Sequence, residues 1–121
     1  MKKRVMIVDD DPMLQELFSI GLESEGYEVA QAANGMEGQR LIEKEEYDLI
    51  VLDLLMPVMD GKHFINWLRR EKMQQTPVLI LSSMINEEVK KELEVFASID
   101  VVCKPVGLEI FLEKVRALIV E

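Results

Sequence analysis

The sequence predicts an α/β fold: five parallel strands in one sheet, each followed by a helix, with helices on both faces. Three observations carry that expectation. Short apolar runs alternate with amphipathic segments along all 121 residues. The run "DLIVLDLLMP" (48–57) is apolar without alternation, as a strand buried on both faces must be. The strand–helix unit recurs five times, which implies a parallel sheet reached through right-handed crossovers.

Each element has its own signal. "RVMIV" (4–8) is a short buried run, read as the first strand. Asp11 then offers an N-cap and Pro12 the first helical position. Leu14, Leu17, Phe18, Gly21 and Leu22 form one face of the first helix, and Gly26 stops it. "YEVAQA" (27–32) reads as a weaker strand nearer an edge, and Asn34-Gly35 marks a turn. The second helix runs to about Glu45 with Leu41 and Ile42 inward; Gly38 inside it costs roughly 1 kcal/mol against alanine. The third strand lies within 48–57, then Asp60-Gly61 turns the chain into a helix carrying Phe64, Ile65 and Leu68. "PVLILSS" (77–83) is the fourth strand. Asn86 caps a helix with Val89, Leu93 and Phe96 on one side. "DVVC" (100–103) is a short fifth strand, and the last helix presents Leu108, Phe111, Leu112, Val115, Leu118 and Ile119 at 3–4 spacing. The flavodoxin-like order 2-1-3-4-5 is the leading topology. It places ligands beyond the carboxyl ends of the strands, at the switch point between strands 1 and 3.

Composition narrows the function classes. The length suits one domain, 1–121, with room for a real core, and there is no repeat or linker. One cysteine, Cys103, excludes an intrachain disulfide. "MKKR" is followed by only "VMIV" before the aspartates, too little for a signal peptide, and no apolar run approaches the ~20 residues of a membrane span. The expected home is the cytoplasm. A net charge of −9 disfavours nucleic acid and anionic membrane surfaces as direct partners.

The strand ends then assemble a site. Strand 1 ends at Asp9 and Asp10, strand 3 at Asp53, strand 4 at Ser82, and strand 5 at Lys104 before Pro105. Three carboxylates in one pocket need a counter-charge. An all-oxygen set without clustered His or Cys favours Mg²⁺ over zinc or copper. A divalent ion, the Lys104 ammonium and the Ser82 hydroxyl form a cradle for phosphoryl oxygens. Asp53, at the end of the central strand, is the natural nucleophile.

The marks "VDDDP" (8–12), "DLLMPVMDG" (53–61), "LSS" (81–83) and "KP" (104–105) occur in order at these strand ends. With them, essentially the whole chain resembles a response-regulator receiver domain of bacterial two-component signalling. The resemblance implies that Asp53 accepts a phosphoryl group from a histidine kinase's phosphohistidine. It implies that Asp10, Asp53 and the backbone carbonyl of Leu55 bind Mg²⁺ directly, with Asp9 acting through water. Ser82 and Lys104 would each hold a phosphoryl oxygen, while Met56, Pro57, Asp60 and Gly61 shape the loop after the acceptor. The Lys104–Pro105 peptide is often cis in such domains. Phosphorylation would shift the face built from the fourth helix, fifth strand and fifth helix toward a state that binds a partner or a second copy. The partners implied are a histidine kinase or phosphotransfer protein upstream, and a downstream protein or fused output domain. With the last helix ending at Glu121, the chain reads either as a stand-alone regulator or as a receiver excised from a longer protein.

Some residues depart from that pattern or have plainer roles. Three positions before Lys104, where an aromatic is usual, stands Val101. Ser82 stands where Thr is also common. Leu55 and Met84, two residues past Asp53 and Ser82, are apolar, which predicts restricted water access and a long-lived phosphoryl group. His63 reads as a partly exposed helix residue, Cys103 as a small buried strand residue, and the eight methionines mostly as core filling. Trp67 fits a helix surface or an interface, and "EKEE" (43–46) a solvated helix end. Three other functions compete. A phosphorylation-independent interaction scaffold draws on Val101. A Mg²⁺-dependent aspartyl phosphohydrolase would want an acid where Leu55 stands. A flavin or nucleotide domain would want a phosphate loop where "DDDP" repels phosphate.

Overall fold

The strands and helices run β1 (Arg4–Val8), α1 (Pro12–Ser24), β2 (Glu28–Ala32), α2 (Gly35–Lys44), β3 (Leu49–Asp53), α3 (Gly61–Asn66), β4 (Val78–Ser82), α4 (Glu87–Glu94), β5 (Ile99–Cys103) and α5 (Leu108–Leu118). The structure is a computed structural model and describes residues 2–54, 59–83 and 87–119. Leu55, Met56, Pro57, Met84 and the capping role of Asn86 lie outside the described residues.

All strands pair in parallel in the order β2-β1-β3-β4-β5, as the sequence predicts. The register sets Val8 beside Leu52 and Asp53 beside Leu81, so the polar residues after these strands come out on one edge. Alternate side chains feed two cores. Val5, Ile7, Val51, Leu79 and Leu81 meet α1 and α5 through Phe18, Leu22, Phe111 and Val115. Met6, Val8, Ile50, Leu52 and Ile80 meet α2, α3 and α4 through Ile42, Phe64, Ile65 and Leu93. Phe18 stacks on Phe111 with ring centroids 4.0 Å apart. Each fully buried aliphatic contributes about 1.5–3 kcal/mol, so the double-sided strands β3 and β4 anchor the sheet.

Local chemistry sets the element ends. The Asp11 carboxylate accepts from the Met13 and Leu14 N–H groups, with Pro12 opening the helix. Gly26, at φ +93, carries the left-handed turn after α1. Asn34 and Asp60 cap α2 and α3 through the Glu37 and His63 N–H groups. Gly61 donates to the Leu54 carbonyl at 2.9 Å, and a Cβ there would sit 2.8 Å from the Leu54 Cα. Only glycine allows that approach, which ties α3 to the segment just after Asp53.

Several expectations need correction. Leu17 is 52% exposed; the inward positions of α1 are instead Gln15 and Ser19 together with Phe18, Gly21 and Leu22. The upper part of α1 lies over the polar ends of β1 and β2, which call for hydrogen-bonding groups. The methionines are mostly not core filling among the described residues. Met6 is buried and Met59 packs at the core margin, but Met13, Met36 and Met73 are exposed in helix first turns or, for Met73, at φ 56. Cys103 is exposed, because it ends the edge strand β5, whose other residues are only half-buried. Phe96 lies beyond α4 rather than in it, its N–H returning to the Leu93 carbonyl. After Asn66 the helix widens into a π-helical turn, Trp67–Glu71, which carries Leu68 inward. Trp67 there is half-buried against Phe64, while His63 is exposed.

Candidate functional site

The carboxyl edge of the sheet gathers the residues that the sequence singles out. Carboxylate oxygens of Asp9, Asp10 and Asp53 lie within 4.8 Å of one another. Asp9 and Asp53 are buried while Asp10 is exposed, so the cluster opens to solvent through Asp10. The Lys104 ammonium, arriving from the end of β5, sits 3.1 Å from Asp9 Oδ2 and 3.5 Å from Asp53 Oδ2. Burial works against that ammonium, but the hydrogen bonds and charges of Asp9 and Asp53 outweigh it. They hold its pKa above the ordinary lysine value. Ser82 is fully buried at the end of β4, and its carbonyl accepts from the Lys104 N–H at 2.8 Å. The Lys104–Pro105 peptide is cis.

Asp9 is fixed at every polar atom. Its N–H donates to the Ala32 carbonyl at 3.1 Å, and Oδ1 accepts from the Asp11 N–H at 2.9 Å. Oδ2 accepts from Lys104, and the carbonyl accepts from the Gln15 side chain at 3.1 Å. Asp53 is followed by Leu54, whose N–H donates to the Leu81 carbonyl at 3.2 Å. Both sides of the cluster are thus tied to sheet carbonyls.

The site fits a hard divalent cation. Its donors are all oxygen, their spacing matches the reach of one small ion, and one ammonium cannot balance three carboxylates. The plainer role assigned to Asp11, a helix cap, holds. The Leu55 carbonyl, expected as a further ligand, is outside the described residues.

Two features beside the cluster escape a reading based on strand ends. One is Gln15, buried against the carbonyl ends of β1 and β2. The other is an apolar groove of about 630 Å³ lined by Met13, Leu14, Leu17, Phe18, Pro105 and Val106 and bordered by Lys104. Met13, Leu17 and Ile20 stand exposed along α1 at helical spacing next to it. The signal was an apolar stripe wider than one buried face requires.

Comparison with known proteins agrees with this arrangement. The family model for the response regulator receiver domain matches residues 5–116. The chain is 40% identical over 119 residues to the DNA-binding dual master transcriptional regulator RpaA of Synechocystis, covering 96% of this chain and 48% of that protein. It therefore spans about half the length of the curated relatives it matches. Among solved structures, the chemotaxis protein CheY4 of Vibrio cholerae superposes with a TM-score of 0.90 at 30% identity, covering 98% of this chain and 99% of that one. The response regulator TrrA of Thermotoga maritima, solved in complex with Mg²⁺ and BeF, gives 0.82 at 29% identity, covering 96% and 98%. Among the described residues no helix is long and apolar enough to cross a membrane.

Proposed function

The chain belongs to the response-regulator receiver domain family, and from that premise we propose that it is a phosphorylation-dependent signalling switch whose acceptor is Asp53. The receiver occupies 1–121 as one domain and works in the cytoplasm. The donor is the phosphohistidine of a histidine kinase or phosphotransfer protein. The observation that carries this reading is the convergence of three carboxylates and Lys104 from the ends of three strands.

An Asp53 carboxylate oxygen attacks phosphorus in line; a P–O bond forms as the P–N bond breaks, and the departing imidazole takes up a proton. A divalent cation held here would offset the charge that builds between the carboxylates and the phosphoryl oxygens. Asp10, exposed at the mouth, and Asp53 would hold it directly, together with the expected Leu55 carbonyl. Asp9, whose two oxygens already serve the Asp11 N–H and Lys104, acts through water. Lys104 moves from its carboxylate partners to a phosphoryl oxygen, and the Ser82 hydroxyl donates to another.

The response passes to the α4–β5–α5 face, which engages a downstream protein, a fused output domain or a second copy. The relatives' regulator names support a transcriptional output. Incubation with Mg²⁺ and acetyl phosphate, read by intact mass, tests the proposal. One phosphoryl group is expected, lost without Mg²⁺ and abolished in Asp53→Asn. No gain in a chain that binds Mg²⁺ would instead favour the phosphorylation-independent scaffold to which Val101 points. Turnover of phosphate esters would favour a phosphohydrolase.

A further inference from the structure

Gln15 sits on the second turn of α1 and is 6% exposed. Its Nε2 lies 2.8 Å from the Ala32 carbonyl, 3.0 Å from the Ile7 carbonyl and 3.1 Å from the Asp9 carbonyl. Paired residues of β1 and β2 end at Val8 and Ala32; the Ala32 carbonyl still accepts from the Asp9 N–H at 3.1 Å, while the Asp9 carbonyl, past the paired residues, takes its hydrogen bond from the Gln15 amide. The amide takes over where the ladder stops. Three surrounding carbonyl oxygens dictate its orientation, since only the NH₂ side can face them. Its own Oε1 is left buried with no partner among the described residues. An apolar residue would avoid that unmet acceptor but would leave the strand-end carbonyls without this donor.

We propose that Gln15 is a positioning residue for the cation site, a role that rests on the Mg²⁺ reading above. The Asp9 carbonyl belongs to the planar peptide that leads into Asp10. Holding that oxygen orients the Asp9–Asp10 peptide, and with it the direction in which both carboxylates leave the chain. Gln15 touches neither carboxylate through any of its Nε2 bonds, so it acts through the backbone. Ser19, one turn further along α1 and 5% exposed, is the matched control. Its hydroxyl accepts from Gln31 Nε2 at 2.7 Å, away from the carboxylate cluster.

The test is a calorimetric Mg²⁺ titration of the full chain without phosphodonor, for the wild type, Gln15→Met, Gln15→Asn and Ser19→Ala. Gln15→Met is expected to weaken Mg²⁺ binding about tenfold, the range found when an outer-shell partner of a metal ligand is removed. Gln15→Asn keeps the amide but shortens its reach, and shifts affinity the same way by a smaller factor. Ser19→Ala is expected to bind as the wild type. With acetyl phosphate at saturating Mg²⁺, Gln15→Met should label within about twofold of the wild-type rate, as expected when only cation binding is weakened. Wild-type Mg²⁺ affinity in Gln15→Met, or an equal loss in Ser19→Ala, overturns the proposal. If Gln15→Met does not fold, unchanged affinity in Gln15→Asn overturns it alone. A wild type that binds Mg²⁺ but takes no phosphoryl group removes the phosphoacceptor reading and leaves this one standing. A wild type that binds no Mg²⁺ removes both.

Discussion

The two flanks of the sheet are built to different standards. Around β1 and β3 almost nothing is left to choice: the strands are buried and Asp9 has a partner at each polar atom. Around α4 and β5 the packing is looser. The only buried residue of α4 is Leu93, β5 is half-buried along most of its length, and Ser98 turns through φ +60. Phe96 lies between a cavity of about 380 Å³ beside α3 and one of about 240 Å³ that also touches Val101. Besides the ion pairs Lys62–Glu92 and Lys114–Asp100, restraint on this flank comes from the π-helical turn. Arg69, 5% exposed, donates to the carbonyls of Gln74 and Ala97 at 3.0 Å each, and Arg70 lies 5.5 Å over the Phe96 ring. Burial holds the Arg69 guanidinium below its ordinary pKa. The contrast teaches a division of labour. The flank that holds charge is over-determined, and the flank that the proposed switch would move keeps free volume and few buried contacts.

The contrast breaks most readily with two phenylalanines. Phe111→Ala, which empties the stack on Phe18, is expected to cost about 3–5 kcal/mol in urea unfolding. Phe96→Ala should cost only about 1 kcal/mol, since half-burial beside cavities removes little. Equal losses would mean that the α4–β5 flank is as tightly packed as the centre. A smaller effect sharpens the electrostatic side. Asp10→Asn relieves repulsion among the three carboxylates, so the melting temperature in chelator should rise. The same variant should lose most of the stabilisation that added Mg²⁺ gives the wild type. The smallest effect belongs to Lys104. A raised folded pKa means its contribution is fully present below the ordinary lysine range and is lost as pH climbs through the raised value. From about pH 10 upward the wild-type melting temperature should fall more steeply than that of Lys104→Met, with no difference in slope below that range. Parallel curves would show that the pairings with Asp9 and Asp53 add nothing.

The sheet order and the site lay open in the sequence for one physical reason. A parallel strand buried on both faces is an unbroken apolar run, so the first polar residue after each run marks the functional edge. Asp9, Asp53, Ser82 and Lys104 all announce themselves in this way. Other residues take their places from tertiary context that no local pattern carries. Gln15 and Ser19 look like ordinary helix polars until β2 ends beside them. Leu17 and Met13 look like core until the groove is seen. The π-helical turn at Trp67–Glu71 has no composition signal, because Arg69 is drawn inward by the Ala97 carbonyl of the α4–β5 connection and the Gln74 carbonyl ahead of β4.

The bond between Lys104 and Asp9 joins residues 95 positions apart. Chains leave the ribosome from the amino end, and domains fold as units once enough sequence has emerged. Asp9, Asp10 and Asp53 are therefore synthesised well before the lysine that balances them. A nascent or truncated chain lacking the last quarter holds the acidic cluster without its ammonium and without β5 along β4. Such a fragment holds only part of the site. The wide spacing of the site along the chain thus ties its completion to synthesis past Lys104, and a chain cut short of that point lacks the ammonium that balances its carboxylates.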